Sequence, residues 1–423
     1  MKLKSVLTLS GLLILSVGSN AQETSVSPYS ALGVGDLLFN ENIEQAAMGG
    51  LSMFPLSPYY ASGNLINPAA NRDMRMTSFD ISATSHTGRF NDGTLKSTQS
   101  TTYLSNASLV FPIGEKVRAG FGFRPYSTIG YDMMTVTIGD EVSYQDRFQG
   151  EGGLNSFKVV GSYNITKEFT AGLNIDYLFG DLTRIETIGT EGLSLRTDYM
   201  RKAETRGIQL GVSGMYTKVL ESKKRIDIGL KYTLGSKLNS RIEDMTTTYA
   251  LSGLEPVNVD TVQYSKVSGK LKIPQSLSIG ASLRKDLSWM AGIQVDWGDW
   301  QDFSYTPSAN EFELNSRFRI SAGGYWIPNF NSYKSYFDRV VYRAGLFYES
   351  TPIRINDKGV DKFGLTFGFG LPIGKDRDAS MLNLGFELGS LGNTKSLPFS
   401  EKYINARIGF TINDIWFRKR VID

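Results

Sequence analysis

The sequence predicts an all-β protein: a transmembrane antiparallel barrel of about fourteen strands with an N-terminal segment in its lumen. Three observations carry this. In the closing stretch 403–413, Ile404, Ala406, Ile408, Phe410 and Ile412 alternate with Asn405, Arg407, Gly409, Thr411 and Asn413. Successive strand side chains point to opposite faces, so one face is wholly apolar and the other polar or small. The alternation lasts about 10 residues, the length of a tilted strand crossing a bilayer. Similar strands recur from Thr77 onward with no helical pattern to cover their apolar faces. Finally, short charged turns such as Pro112-Ile113-Gly114-Glu115-Lys116 alternate with longer polar segments, the asymmetry of a barrel with short periplasmic turns and long outer loops.

Residues 1–21 read as a secretory signal, with Lys2 and Lys4 before a short apolar core and Ser19-Asn20-Ala21 before Gln22. Nothing later approaches about 18 continuous apolar residues, so no membrane helix is expected. Without Lys2 and Lys4 the chain carries 43 basic against 42 acidic residues, a balance that gives no footprint for nucleic acid. With no Cys, thiolate metal sites and thiol catalysis are excluded. At 44 of 423 residues Gly is abundant, which suits strands whose inner face must leave space.

Residues 22–75 do not alternate. Ser27-Pro28-Tyr29-Ser30, Gly33-Val34-Gly35, Met48-Gly49-Gly50, Met53-Phe54-Pro55 and Asn67-Pro68-Ala69-Ala70 suit a compact plug. Residues 43–48 are expected to form one or two helical turns. Leu37, Leu38, Phe39, Met53, Phe54, Tyr59, Tyr60 and Ile66 argue against a disordered tail. Residues 76–416 form the barrel, and 417–423 a basic periplasmic tail.

Within the barrel, Phe79, Ile81 and Ala83 alternate with Asp80, Ser82 and Thr84 in the first strand. Val117, Ala119, Phe121 and Phe123 mark the third, and Trp289, Ala291, Ile293, Val295 and Trp297 a later one. The segments 140–154, 180–206 and 251–270 are expected as long outer loops. Trp289, Trp326 and Trp416 near short turns, with Trp297 at a long loop, suggest two aromatic girdles. Both termini are placed in the periplasm.

Short motifs then point to a family. Met48-Gly49-Gly50, Asn67-Pro68-Ala69, Phe111-Pro112-Ile113-Gly114-Glu115-Lys116 turning into Gly120-Phe121-Gly122-Phe123, and Ile273-Pro274-Gln275-Ser276-Leu277 resemble the FadL-type, or TodX-family, outer-membrane transporters of long-chain fatty acids and hydrocarbons. The resemblance implies a hatch-plugged barrel. An apolar ligand binds in the lumen, the hatch shifts, and the ligand leaves sideways through a gap at a kinked third strand. Phe123-Arg124-Pro125-Tyr126-Ser127 is where that gap is expected, since Pro cannot donate to a ladder; the alternative is a Pro above the membrane, where pairing no longer matters. Candidate ligand-contact and gating residues are Met48, Gly49, Gly50, Met53, Phe54, Asn67, Pro68, Ala69, Phe123, Pro125 and Tyr126. The basic end Arg418-Lys419-Arg420 departs from the family pattern.

His86, the sole histidine, faces inward near Ser82 and Ser85, but a hydrolase also needs an acid and an oxyanion site. Asp376-Arg377-Asp378 lacks the ligand spacing of a calcium loop. No enzyme activity, cofactor or metal is expected. Two readings remain. One is passive uptake of a hydrophobic small molecule across the outer membrane of a Gram-negative bacterium, with membrane lipids and that ligand as partners. The other is a pore-blocked barrel serving as a subunit of an outer-membrane machine. An apolar, ligand-sized cavity favours the first; a solidly packed lumen with an exposed patch beyond the lipid belt favours the second.

Overall fold

The computed structural model describes residues 27–38, 42–57, 62–138, 143–190, 193–252, 255–306, 314–373, 380–394 and 397–416. The signal sequence, the basic tail, Phe39, Tyr59, Tyr60 and Asp376-Arg377-Asp378 lie outside these residues.

The wall is a closed antiparallel barrel of 14 strands. In chain order they are β1 (Thr77–Asn91), β2 (Lys96–Ile113), β3 (Val117–Ile138), β4 (Ser143–Asn164), β5 (Phe169–Thr190) and β6 (Leu195–Val219). Two strands come in two collinear pieces, β7 (Arg225–Thr233 and Ser236–Ser252) and β8 (Glu255–Ile273 and Ser276–Lys285). Pro274, which cannot donate to the ladder, stands at the break in β8. β9 (Trp289–Gly298), β10 (Arg317–Trp326), β11 (Val341–Ile355), β12 (Lys358–Pro372), β13 (Met381–Leu391) and β14 (Ser400–Asp414) complete the wall. β14 closes onto β1 from Ser400↔Asn91 to Asp414↔Thr77, leaving no edge there.

The alternation fixes which face meets lipid. On β14, Ile404, Ile408, Phe410 and Ile412 are 44–53% exposed, while Thr411 is 3% and Asn405 8% exposed. Trp289 pairs directly with Trp326, whose ring lies 5.9 Å from Tyr342, forming an aromatic row at the end of the short turns. Trp297 pairs with Phe318 at the opposite end of the same strands.

The expected long loops are mostly strand. Residues 143–154 belong to β4, 180–190 and 195–206 to β5 and β6, and 255–270 to β8. These strands run past the bilayer, where neither face meets hydrocarbon, so their sequence loses its apolar alternation and reads as loop. Nor do connection lengths alternate strictly. β11 and β12 join through the two residues Asn356 and Asp357, both at positive φ (49° and 63°), and β10 and β11 through residues 327–340. The asymmetry lies in strand length instead: β3 to β6 have 22 to 25 residues, β9 and β10 only 10.

Candidate functional site

The N-terminal residues thread the space the wall encloses. Ile43–Ala47 is helix α1, opened by a capping box: the Asn42 side chain accepts from Gln45 N at 2.9 Å, and the Gln45 side chain accepts from Asn42 N. It ends at Gly49 and Gly50, whose φ values of 72° and 85° favour glycine. On the facing wall, a Cβ at Gly345 would lie 2.4 Å from Gly49 N, so bare backbone there lets the two chains approach.

Hydrogen bonds fasten this segment along its length. Gly49 N donates to Thr366 Oγ1 at 2.8 Å, and Arg319 Nη2 donates to Gly49 O at 2.9 Å. Ser52 N and Met53 N both donate to Gln294 Oε1, at 2.7 and 3.2 Å. Asn67 caps the 3₁₀ turn Pro68–Asn71 by accepting from Ala69 N, and its Nδ2 donates to Met53 O at 2.6 Å. That is the local meaning of Asn67-Pro68-Ala69: the asparagine ties one turn of the plug to another. Arg343 Nη2 meets Glu44 Oε1 at 2.6 Å with both side chains buried.

Side chains fill the lumen in layers. At the short-turn end, Met48, Leu51, Met53, Phe54 and Leu56 pack with Met290, Tyr325, Ile327, Val341 and Met381 of the wall. Next comes a polar layer of paired charges, among them Arg317 and Arg319 on Glu349 (2.7 and 3.0 Å) and Arg407 on Glu387 (2.8 Å). Charges removed from water persist where they are paired in this way. At the far end Leu154, Leu178, Leu182, Leu238, Ile242 and Leu271 turn inward from β4 to β8 and pack with Val34, Ile129, Trp300 and Phe303. Cavities of about 140 and 120 Å³ remain among them, each lined by charges of both signs. A ligand pocket typically needs roughly 300–1,000 Å³ with mainly apolar walls.

Among the described residues the wall has one seam. β2 and β3 pair only from Ala107↔Phe123 to Ile113↔Val117, although β2 stays on β1 and β3 on β4 far beyond. The register of β3 on β4 shifts between Pro125 and Ser127, leaving Tyr126 as the extra residue of a bulge. Beyond the bulge the N-terminal segment takes the place of β2. Leu38 N donates to Tyr126 O at 3.0 Å, Leu37 and Asp36 pair with Ser127 and Thr128, and Ser30 Oγ bonds both N and O of Gly130. Arg124 Nη1 donates to Leu38 O at 2.6 Å. Outside, the foot of the seam opens on a concavity of about 1200 Å³ reaching from Leu104 and Phe123 across to Lys270.

The sequence-derived candidates thus fall into three groups. Met48, Gly49, Gly50, Met53 and Phe54 meet in the short-turn layer or its fastening. Asn67 joins them through Met53, whereas Ala69 packs on Met215 and Pro68 lies against Gly172. Phe123, Pro125 and Tyr126 stand at the seam, and Tyr126 also turns inward to line the smaller cavity with Gly50 and Ser52. His86 is held by Asn405 Oδ1 (2.7 Å) and Glu401 (3.1 Å), not by a serine. Sequence reasoning missed Gln294, the seam cover 30–38 and the far apolar layer. The inward-phase leucines 154, 178 and 238 were the available signal for that layer.

No curated protein matches the sequence. Among solved structures, the fold is shared with a Pseudomonas aeruginosa FadL homologue (14% identity, 90% of this chain and 100% of that one, TM-score 0.58). The toluene transporter TodX of P. putida is similar over the same shares (15%, TM-score 0.60). So is the toluene transporter TbuX of Ralstonia pickettii, over 89% of this chain and 98% of that one (14%, TM-score 0.56). The FadL-like barrel expected from the motifs is therefore the fold of this outer-membrane protein. The family model for BamG matches residues 3–423, and the chain belongs to the BamG family.

Proposed function

We propose that this barrel is a closed, structural subunit of an outer-membrane assembly, with residues 22–75 as a fixed plug and both termini in the periplasm. The carrying observation is the lumen, filled at one end by the plug and at the other by leucines of the wall itself. The BamG family match is in keeping with an assembly context. Extraction of the full chain from its own outer membrane in mild detergent, with protein and lipid identification and single-channel recording, tests this. The expected result is stoichiometric protein partners and no conductance. A barrel that extracts alone, carrying a bound hydrophobic molecule, would overturn it.

A second reading has its own observation. The seam at Phe123, Pro125 and Tyr126 supports passive uptake of a hydrophobic small molecule with sideways release into the bilayer, as does the fold shared with toluene transporters. In that reading Met48, Gly49, Gly50, Met53, Phe54, Asn67, Pro68 and Ala69 belong to a moving hatch, and displacement of residues 30–38 clears the exit. Uptake of a monoaromatic probe by cells carrying or lacking the chain separates the two.

A further inference from the structure

We propose that the outer end of the β3 edge, Tyr131–Ile138, is a docking strand for an extended segment of another polypeptide, resting on the structural-subunit reading. This stretch is ordered: it pairs with β4 without interruption to Ile138↔Ser143. Its opposite edge, turned toward the seam, pairs with no strand among the described residues. Met134, Val136 and Ile138 point away from the barrel and are 66%, 46% and 84% exposed. Met133-Met134-Thr135-Val136-Thr137-Ile138 has no charge, Gly or Pro, the composition of a strand that recruits another. Exposed edges are ordinarily blunted by Lys, Pro or a bulge, and the one bulge lies below, at Tyr126. Asp132, the only charge nearby on the strand, is already held by Arg147 at 2.8 Å.

The chain itself shows what this edge accepts. Immediately below, its N-terminal segment adds to the same edge: Leu38 N donates to Tyr126 O, Asp36 and Leu37 pair as a short strand with Thr128 and Ser127, and the Ser30 side chain, from a 3₁₀ turn, bonds Gly130. The uncovered part continues that line. β2 bounds the far side of the seam, its own edge not paired by β3 beyond Ala107. Backbone pairing would hold the incoming strand, and alternate apolar side chains would pack beside Met134, Val136 and Ile138.

The absence of native cysteine makes the test direct. Val136→Cys and, as control, Leu95→Cys at the β1–β2 turn are each reacted with a membrane-impermeant maleimide, in intact cells and as purified barrel. The expected result is at least tenfold slower reaction of Val136→Cys in cells, with equal rates for Leu95→Cys. In a Met134→Cys background, Val136→Lys with Ile138→Lys should restore the purified rate in cells while the barrel keeps its heat-modifiable fold. Equal rates at Val136→Cys in both settings overturn the proposal, and if proteins still co-extract, the structural-subunit reading survives it. A disulfide-linked dimer through Val136→Cys also overturns it, by assigning the edge to a second copy. An unreactive Leu95→Cys in cells overturns both, because this end would then not face outward.

Discussion

Glu44 and Arg343 meet at 2.6 Å across the gap between helix α1 and β11, with side-chain exposures of 2% and 0%. Arg343 also donates to Asn383 Oδ1 at 2.9 Å. Helix α1 is thus pinned to the wall by a pair that water does not reach. Removing one partner of a buried pair costs roughly 3–5 kcal/mol, because the other charge is left uncompensated. Arg343→Met should lower the unfolding temperature of the purified barrel far more than Glu44→Gln with Arg343→Met combined. An equal loss in the single and double variants would show that the pair does not hold the plug.

Charge on the lipid face should block assembly. Ile408→Arg and Phe410→Arg each place a cation in hydrocarbon, at about 2–4 kcal/mol near the bilayer midplane. Gly409, in the opposite phase, faces the polar lumen, where a larger side chain meets a problem of size. A Cβ there would lie 2.7 Å from Ser82 Cβ and 2.9 Å from Ile43 Cδ1. Gly409→Arg should therefore fold the barrel but dislodge α1, read as normal heat-modifiability with faster proteolysis of residues 42–57. Intact protection of that segment would contradict the packing.

Deleting residues 22–64 should leave a folded barrel whose conductance rises little. The far apolar layer is built mainly from wall residues and survives the deletion. Adding Leu178→Asn and Leu238→Asn should open it, giving discrete channel steps in planar bilayers. Full conductance from the deletion alone would show that the far layer is no barrier.

Pro125→Val tests the seam. It restores a backbone donor where the β2–β3 ladder ends. On the structural-subunit reading, folding and uptake of a monoaromatic probe both stay unchanged. A drop in uptake with folded protein constant selects the transport reading.

The wall was legible because lipid imposes a strict rule: apolar residues every second position, as in β14. Where strands leave the bilayer the rule lapses, and 180–190 with 195–206 passed for loop although they belong to β5 and β6, paired residue by residue from Gly180↔Thr205 to Gly189↔Arg196. The turns of the N-terminal segment could be read from Asn67-Pro68-Ala69 and Met48-Gly49-Gly50, whose backbone demands are local. The segment's anchors could not. Gln294 serves residues 52 and 53 across 242 and 241 positions of chain, a contact that no periodicity encodes. Pro125 signalled a break in pairing, but nothing in residues 30–38 announced that they would cover it.

The unequal strands give the molecule a profile as well as a pore axis. β6 has 25 residues and β9 has 10, a difference of roughly 35 Å at 3.3 Å per residue and a 45° tilt. Seen from the end where the long strands project, one side is a tall screen and the other a low sill. A neighbour settling on the sill meets the screen at its back and so has one preferred direction to face. On the structural-subunit reading, this profile lets the barrel orient whatever stands beside it in the membrane plane.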